Sequence, residues 1–261
     1  MNFDIPGLPD RSVKPRENGL TMMMDKGLSI RQVEDTIAAS HQYIDIAKLG
    51  FGTSVITNDL ELKLQMYKDA DIQTCFGGTL FELYFAKGMF DDYRRLIDRY
   101  KMPLAEVSDG SINMTQEEKC MCISKLAEQT TVLSEVGSKD ADKIIPPYKW
   151  IKLIQQELEA GAWKVIGEAR EGGNVGLFRS TGEVRSGLVE EILNTIPGEK
   201  IMWEAPIKAQ QVWFIKLLGA NVNLGNIAPN EVIPLETLRL GLRGDTFEQF
   251  MGKEVKVTSN L

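Results

Sequence analysis

The sequence predicts an α/β protein folded as a (β/α)8 barrel, the TIM barrel. Eight short apolar runs alternate along the chain with longer amphipathic stretches whose apolar residues recur with helical periodicity. Strands that alternate with helices indicate βαβ units and a parallel sheet. Eight such units in 261 residues match the barrel better than an open sheet. The first run also ends in Met24-Asp25-Lys26-Gly27, which is not the glycine-rich turn of a dinucleotide-binding open sheet.

The elements follow one another in a regular order. The predicted strands are residues 20–24, 43–49, 72–76, 104–108, 131–136, 163–168, 201–204 and 222–225. The predicted helices are residues 30–40, 59–70, 79–87 together with 90–100, 115–128, 148–160, 183–195, 207–218 and 230–242. The most Pro- and Lys-rich stretch, 139–147, is read as one loop rather than a linker. We therefore expect a single domain over residues 1–261, with its core at about 14–247 and a short polar C-terminal tail.

The charge balance and the single histidine exclude several function classes. The chain carries 37 Asp and Glu against 30 Lys and Arg, a net charge of −7, and it has no Lys/Arg-rich run. We therefore expect binding neither to nucleic acid nor to a membrane surface. His41 alone cannot build an HExxH zinc site or a histidine-rich metal cluster. Its place in a turn before the second strand predicts a surface residue.

The cysteines and the N-terminus predict a cytoplasmic protein. Cys75, Cys120 and Cys122 contain no CxxC pair. Residues two apart on a helix point away from each other, so we expect free thiols in a reducing compartment. The N-terminal residues contain no apolar segment of the kind found in a signal peptide. No apolar run reaches the roughly 18 residues that would suggest a membrane span.

In a (β/α)8 barrel the active site forms at the carboxyl ends of the strands, so the polar residues that close each run are the candidate site. Asp109, Glu135, Glu168 and Glu204 close the fourth to seventh runs. Burial of several acids near one mouth is costly unless a cation compensates. Mg²⁺ prefers carboxylate oxygens and water and is the predicted cofactor. The alternative is a set of ion pairs with the cations of the same rim, which are Lys26, Lys48, Lys139 and Arg170.

The same rim offers sites for a small anion. Gly52-Thr53-Ser54 and Gly77-Gly78-Thr79 open two consecutive loops beside Lys48, just before helix N-termini. Backbone N–H groups and hydroxyls at such turns can bind phosphate or carboxylate. The alternative phosphate site follows strands seven and eight, at the Pro206 loop and Asn226. The glycine-rich stretch 172–176 is either a lid or a solvated turn.

The positions of two lysines discriminate between chemistries. Lys164 stands at the start of the sixth run, which is the wrong end of the barrel for a Schiff-base aldolase. Lys139, just past the fifth run, is better placed. An ammonium there, among other cations, can have a lowered pKa and act as an acid or a base near neutral pH. The alternative role of Lys139 is to anchor a phosphate or a carboxylate.

Motifs spread over most of the chain resemble those of the phosphosulfolactate synthase family. They are KPR at 14–16, GLT at 19–21, DKGL at 25–28, KLGFGTS at 48–54, GGTLFE at 77–82, SDG at 108–110, SEVGSK at 134–139, EARE at 168–171, WEAP at 203–206, VNLGNI at 222–227 and LETLRLGLRGDTF at 235–247. These blocks follow the family's order and spacing, so the resemblance is specific.

The resemblance implies a Mg²⁺-dependent addition of sulfite to phosphoenolpyruvate that gives (2R)-phospho-3-sulfolactate, in methanogens the first step toward coenzyme M. It also implies a barrel that forms a homo-oligomer. An enediolate would be stabilised by Mg²⁺ and by nearby cations, for which Lys26, Lys48 and Arg170 are the candidates. The family's general acid after strand five corresponds to Lys139, which would protonate C2. Many relatives carry a lysine at the preceding position too, where this chain has Ser138.

Two alternatives remain open at this point. The first is a non-catalytic, stress-associated barrel like the plant relatives of the family, which depart from it in several of these loops. The intact rim of lysines, Arg170 and acids counts against that alternative. The second is another phosphoenolpyruvate or phospho-sugar lyase with the same metal and anion site.

Overall fold

A computed structural model describes residues 2–3, 5–137, 145–170 and 172–250. Lys139, the expected general acid, and most of the expected polar tail lie outside these residues. Within them, eight parallel strands pair in sequence order and the eighth pairs with the first, which closes a barrel. The (β/α)8 prediction is therefore confirmed.

The strands are short and each is followed by helical structure, as the alternation of the sequence predicts. They are β1 (Thr21–Asp25), β2 (Ile46–Leu49), β3 (Gln73–Phe76), β4 (Leu104–Val107), β5 (Thr131–Val136), β6 (Lys164–Gly167), β7 (Ile201–Glu204) and β8 (Leu224–Ile227). The helices in the described ranges are α1 (Ile30–Ser40), α2 (Leu60–Asp69), α3 (Gly78–Ala86), α4 (Phe90–Arg99), α5 (Gln116–Ala127), α6 (Pro147–Glu159), α7 (Ser186–Leu193), α8 (Lys208–Leu218), α9 (Val232–Arg239) and α10 (Gly244–Phe250).

Most of the observed bounds differ from the predicted ones by one to three residues. The second strand starts later than expected because His41–Tyr43 form a short 3-10 helix. The eighth strand lies two residues further along, since the Asn223 side chain donates to the carbonyl oxygens of Glu199 and Ile201 at the approach to the strand. The last predicted helix ends at Arg239, and a further helix that was not predicted, Gly244–Phe250, includes the first three residues of the expected tail.

The barrel interior is filled by one apolar side chain from most strands. These residues are Leu20, Met22, Ile46, Cys75, Leu104, Leu133, Ile166 and Met202, packed with Trp163 at the rim. Side chains on a strand alternate between its two faces. The residue two positions further along a strand therefore points to the same axis, nearer the carboxyl end. On β2 and β4 to β7, the residue two positions beyond the interior apolar residue is charged. These five residues are Lys48, Glu106, Glu135, Glu168 and Glu204.

The amino-terminal end of the barrel is closed by the segment before β1. Arg11 pairs with Glu236 of α9 at 2.9 Å, and Arg16 pairs with Asp45 at 2.7 Å. Arg239, fully buried, donates to the carbonyl oxygens of Leu20, Ala220 and Val222. These cations bind groups of the fold itself at this end of the barrel. In the described part of the chain, no helix is both long and apolar enough to cross a membrane.

Asp25 ends β1 but turns away from the mouth toward α2. Its carboxylate accepts from the N–H groups of Gly27 and Leu28 at 2.8 and 2.7 Å, and from Lys63 and the Tyr67 hydroxyl at 3.0 Å each. Burial, with the Asp25 charge, raises the pKa of Tyr67, so its hydroxyl remains a donor. Asp25 therefore fixes the turn after β1 and the packing of α2.

Replacing Lys63 by methionine is expected to lower the free energy of unfolding by about 3 kcal/mol. The change leaves the Asp25 carboxylate buried without its cation, which is costlier than the pair itself. Denaturant titration measures the difference. The matched control is Lys68→Met on the exposed side of the same helix, which is expected to stay within about 0.5 kcal/mol of the parent. Equal stability of the two variants would contradict the role given to Asp25.

Candidate active site

A cavity of about 420 Å³ opens at the carboxyl end of the barrel. Seven strands, β2 to β8, or the loops that follow them supply its polar lining. The polar and glycine residues that line it are Lys48, Gly50, Gly77, Gly78, Thr79, Glu106, Ser111, Glu135, Glu168, Arg170, Gly172, Asn174, Glu204 and Asn226, with Met24 and Phe51 as the apolar wall. This is the end at which the active sites of such barrels form.

Lys48 stands at the centre of the cavity floor among buried carboxylates. Its Nζ lies 2.8 Å from Oε2 of Glu106, 3.6 Å from Oε2 of Glu135 and 3.6 Å from Oε1 of Glu204. All four side chains are nearly inaccessible to solvent. Burial by itself lowers the pKa of Lys48, but the three carboxylates outweigh it and hold that pKa well above its ordinary value. Lys48 is therefore an ammonium ion in the cavity.

Among the described residues, the buried ionisable side chains of the cavity floor are four carboxyl groups and one ammonium group. Glu106, Glu135, Glu168 and Glu204 are all buried there, and Lys48 is the buried cation among them. Burial raises the pKa of Glu204 to about 7, against the attraction of Lys48 and with the repulsion of Glu135. Burial also raises the pKa of Glu106. Such a cluster favours the binding of a further cation, because like charges in a low-dielectric site repel strongly.

Three of these carboxylates are arranged as a candidate metal centre. Glu135, Glu168 and Glu204 each offer one oxygen, and these oxygens lie within 4.8 Å of one another. Octahedral Mg²⁺ at 2.0–2.1 Å from its ligands needs oxygens about 3–4 Å apart, a small adjustment from this arrangement. Carboxylate oxygens are the donors that a hard divalent cation prefers. The cluster therefore fits a divalent cation of this kind.

Asp109 is not brought to this cluster. Its carboxylate, one-third exposed, pairs with Lys119 at 2.8 Å and lines a neighbouring groove between the loop after β4 and α6. Three of the four expected ligands thus meet in space, and the fourth is engaged elsewhere.

Gly77 and Gly78 line the cavity, but their backbone N–H groups are already used. The Gly77 N–H donates to the Leu49 carbonyl at 3.0 Å, and the Gly78 N–H donates to Oε1 of Glu106 at 2.7 Å. A Cβ at position 78 would lie 2.7 Å from the Ser108 Cβ and 2.8 Å from the same carboxylate oxygen. Glycine is therefore required for the close approach of α3 to β4, and the start of α3 is occupied by Glu106 rather than left open for an anion.

The other predicted anion loop turns away from the cavity. Thr53–Val55 form a short 3-10 helix, the Thr53 hydroxyl donates to the Gly50 carbonyl at 2.8 Å, and Ser54 is buried. Gly52, Thr53 and Ser54 do not line the cavity. The loop contributes Gly50 and Phe51 to the cavity lining instead. Lys26 is exposed, with its Nζ 5.9 Å from the centre of the Phe51 ring, and lines an adjacent groove with Thr53.

Arg170 and Asn226 reach the cavity from β6 and β8, and both have positive φ angles, 54° and 58°. Such angles are uncommon outside glycine and cluster at functional sites. The Arg170 N–H donates to Oε1 of Glu168 at 2.5 Å. Gly172 and Asn174 of the expected lid segment also line the cavity. Gln210 of α8 fixes that segment through the carbonyl oxygens of Gly173 and Gly182.

Glu106 is the charged cavity residue that the sequence analysis missed, and Ser111 lines the cavity without having been predicted. Glu106 lies inside the fourth apolar run, whereas only the residues that close each run were considered. The signal was its spacing, since Glu106 follows the interior residue Leu104 by two, as Lys48 follows Ile46 and Glu135 follows Leu133.

Comparisons with known proteins assign the chain to a family. Residues 9–245 match the family model described as (2R)-phospho-3-sulfolactate synthase (ComA). The chain is 43% identical over 243 residues to the phosphosulfolactate synthase of Bacillus subtilis (strain 168), a match that covers 92% of this chain and 96% of that one. It is 44% identical over 237 residues to the phosphosulfolactate synthase of Methanocaldococcus jannaschii, covering 88% and 94% of the two chains.

A solved structure supports the fold independently. The 3-hexulose-6-phosphate synthase of Salmonella typhimurium superposes with a TM-score of 0.54 at 12% identity, over 84% of this chain and 99% of that one. That likeness concerns the barrel alone. The family model and the curated relatives, by contrast, match nearly the whole chain, including the strand ends that build the cavity. The chain belongs to the (2R)-phospho-3-sulfolactate synthase family.

Proposed function

We propose that this enzyme adds sulfite to phosphoenolpyruvate and releases (2R)-phospho-3-sulfolactate. The observation that carries the proposal is the cavity, because Lys48, Glu135, Glu168, Arg170 and Glu204 all come from motifs shared with the family and converge on one space. In this reaction the sulfur lone pair forms a bond to C3 of the substrate. The electrons of the C2–C3 double bond move toward the carboxylate, and a proton then adds to C2.

The donor set supports a divalent cation, for which we propose Mg²⁺, held by Glu135, Glu168 and Glu204. The cation would supply positive charge that stabilises the negative charge building on the substrate as the C–S bond forms. Lys48 and Arg170 add positive charge to the same cavity. Both reactants are anions, so these cations bind them and screen their mutual repulsion.

The anchor of the phosphate and the groups around it remain proposals. Thr79 and Asn226 line the cavity and offer a hydroxyl and an amide, whereas the N–H groups of Gly77 and Gly78 are engaged. We assign the phosphate to the side of Thr79, Asn226 and Arg170. Gly52, Thr53, Ser54 and Lys26 do not line the cavity, and Lys26 and Thr53 line an adjacent groove, so we assign none of the four to the phosphate.

We propose Lys139 as the acid that protonates C2. The resemblance to the family motif supports this role, and Lys139 follows the end of β5 by three residues in the sequence. The one histidine of the chain is no competitor, since His41 is exposed in the turn after α1 and its Nδ1 contacts the Ile37 carbonyl. The homo-oligomer implied by the family resemblance and the cytoplasmic location predicted from the cysteines both remain predictions.

Lys139→Ala is expected to lower kcat by about 100-fold or more, the usual effect of losing a general acid. Purified protein would be incubated with phosphoenolpyruvate, sulfite and Mg²⁺. The reaction is followed by the loss of the enol absorbance and by the appearance of the phosphorus NMR signal of the product. The control is Lys152→Ala on the exposed side of α6, which should keep the parental rate.

Each other outcome has a definite meaning. Full activity of Lys139→Ala would remove the assignment of the acid. Consumption of phosphoenolpyruvate without sulfite would favour another lyase of the same substrate. No turnover by the parent protein with any of these reactants would favour the non-catalytic alternative.

A further inference from the structure

We propose that Lys119 of α5 is a positioning residue for the cavity, holding the end of β5 from which the Glu135 carboxylate projects. The proposal rests on the function proposed above. Lys119 does not line the cavity, but its ammonium group donates to the backbone carbonyl of Glu135 at 2.6 Å. It therefore acts through the backbone of a proposed metal ligand.

The start of α5 determines why the Lys119 side chain reaches the Glu135 carbonyl. Thr115 caps α5 by accepting from the Glu118 N–H at 3.2 Å, and the Glu118 carboxylate accepts from the Thr115 N–H at 2.8 Å. This capping box fixes where the helix starts. Lys119 is the fourth residue of the helix, and helical side chains lean toward the N-terminus. Its ammonium group consequently extends toward the carboxyl ends of β4 and β5.

Three acceptors surround the Lys119 ammonium group. They are the Glu135 carbonyl, the Asp109 carboxylate at 2.8 Å and the Glu157 carboxylate of α6 at 2.9 Å. An ammonium has three hydrogens to donate, so its capacity is filled. Burial by itself lowers the pKa of Lys119, but the attraction of Glu157 and Asp109 outweighs it, so the group is charged. One side chain thus ties together the loop after β4, the end of β5 and α6.

The contact with the Glu135 carbonyl is what links this cluster to the active site. The Glu135 side chain points into the barrel, 3.6 Å from Lys48, while its carbonyl is held from outside by Lys119. A shift of that peptide moves the carboxylate relative to Glu168 and Glu204. Partners that orient metal ligands in this way typically contribute about 10- to 100-fold in metal affinity or activity.

A purely structural ion pair is the competing explanation, and paired variants separate the two. Lys119→Met alone leaves Glu157 and Asp109 without their cation and is expected to be unstable. Lys119→Met/Glu157→Gln removes both charges of the buried pair and is expected to regain most of the thermal stability. Glu157→Gln alone weakens the pair but keeps the bond from Lys119 to the Glu135 carbonyl. Lys125→Met, exposed on the same helix, is the control for expression and folding.

The readouts are Mn²⁺ affinity by electron paramagnetic resonance, and kcat and KM for phosphoenolpyruvate. The double variant is expected to bind Mn²⁺ about 10- to 100-fold more weakly than the parent, with kcat lowered more than KM is raised. Glu157→Gln is expected to stay within about threefold of the parent in Mn²⁺ affinity, well short of that loss. Parental Mn²⁺ affinity in the double variant, or an equal loss in Glu157→Gln, would overturn the proposal. Absence of turnover in the parent would reject the proposed function instead, while the Mn²⁺ comparison would still test Lys119.

Discussion

Lys48→Met is expected to abolish turnover and to destabilise the protein at the same time. The ammonium of Lys48 contacts three buried carboxylates, and its closest partner, Glu106, lies at 2.8 Å. Loss of the cation leaves Glu106 buried without compensation, which costs about 3–5 kcal/mol. It also removes fixed positive charge from a cavity that must bind anions, so we expect kcat/KM to fall at least about 100-fold.

A double variant separates these two effects. Lys48→Met/Glu106→Gln removes both members of the closest pair and should recover most of the stability, since a buried pair can be replaced by neutral groups at little cost. Its activity should stay low, because the anion-binding charge is still missing. Lys87→Met at the exposed end of α3 serves as control. Denaturant titration measures the stability of each variant, and the sulfite addition assay measures its activity. Recovery of activity in the double variant would show that Lys48 serves only to neutralise the charge of Glu106.

The order of elements could be predicted because it depends on local signals. The predicted bounds of α1 agree with the structure at both ends, since Ser29 caps the helix and its capping box with Gln32 is readable in the sequence. The eight strands were predictable from their short apolar runs. Where local signals are weak, as at the approach to β8, the side chain of Asn223 and its partners on another strand set the boundary.

The sequence also indicates which strand residues point into the barrel, because side chains on a strand alternate between its two faces. Glu106 is two residues beyond Leu104, and every carboxylate of the cavity stands in the same relation to an interior apolar residue of its own strand. Applied to all strands, this period of two would have added Glu106 to the candidate ligands and removed Asp109 from them. An acid in the middle of a buried run is a stronger signal than an acid at its end.

The directions of the loops could not be predicted in this way. After β2, Phe51 and Gly52 both take positive φ angles, 56° and 65°, and this turn carries Thr53 and Ser54 away from the cavity. At the start of α3, the acceptor for the Gly78 N–H comes from β4, so a helix N-terminus that looks open in the sequence is closed by a tertiary contact. The first outcome involves a positive φ at Phe51, which is uncommon for a residue other than glycine, and the second depends on a neighbour distant in sequence.

Glu204→Gln is expected to stabilise the cation-free protein while abolishing its response to Mg²⁺. Four carboxylates share the cavity floor with Lys48, and repulsion from Glu135 and Glu106 adds to the burial that raises the pKa of Glu204. Removing one of these charges relieves repulsion, which we expect to raise the unfolding free energy in EDTA by about 1 kcal/mol.

The parent should instead gain stability from the cation, by about 2.7 kcal/mol when Mg²⁺ is present at 100 times its dissociation constant. Thermal unfolding with EDTA and with saturating Mg²⁺ measures both effects, and the assay should show at least about a 100-fold loss of activity in Glu204→Gln. Asp109→Asn is the matched comparison, because Asp109 pairs with Lys119 outside the cluster of Glu135, Glu168 and Glu204. It should keep the Mg²⁺ shift of the parent. Persistence of that shift in Glu204→Gln would mean that the cation is held by a different set of carboxylates. Loss of the shift in Asp109→Asn would mean that Asp109 contributes to cation binding, either directly or through Lys119 and the Glu135 carbonyl.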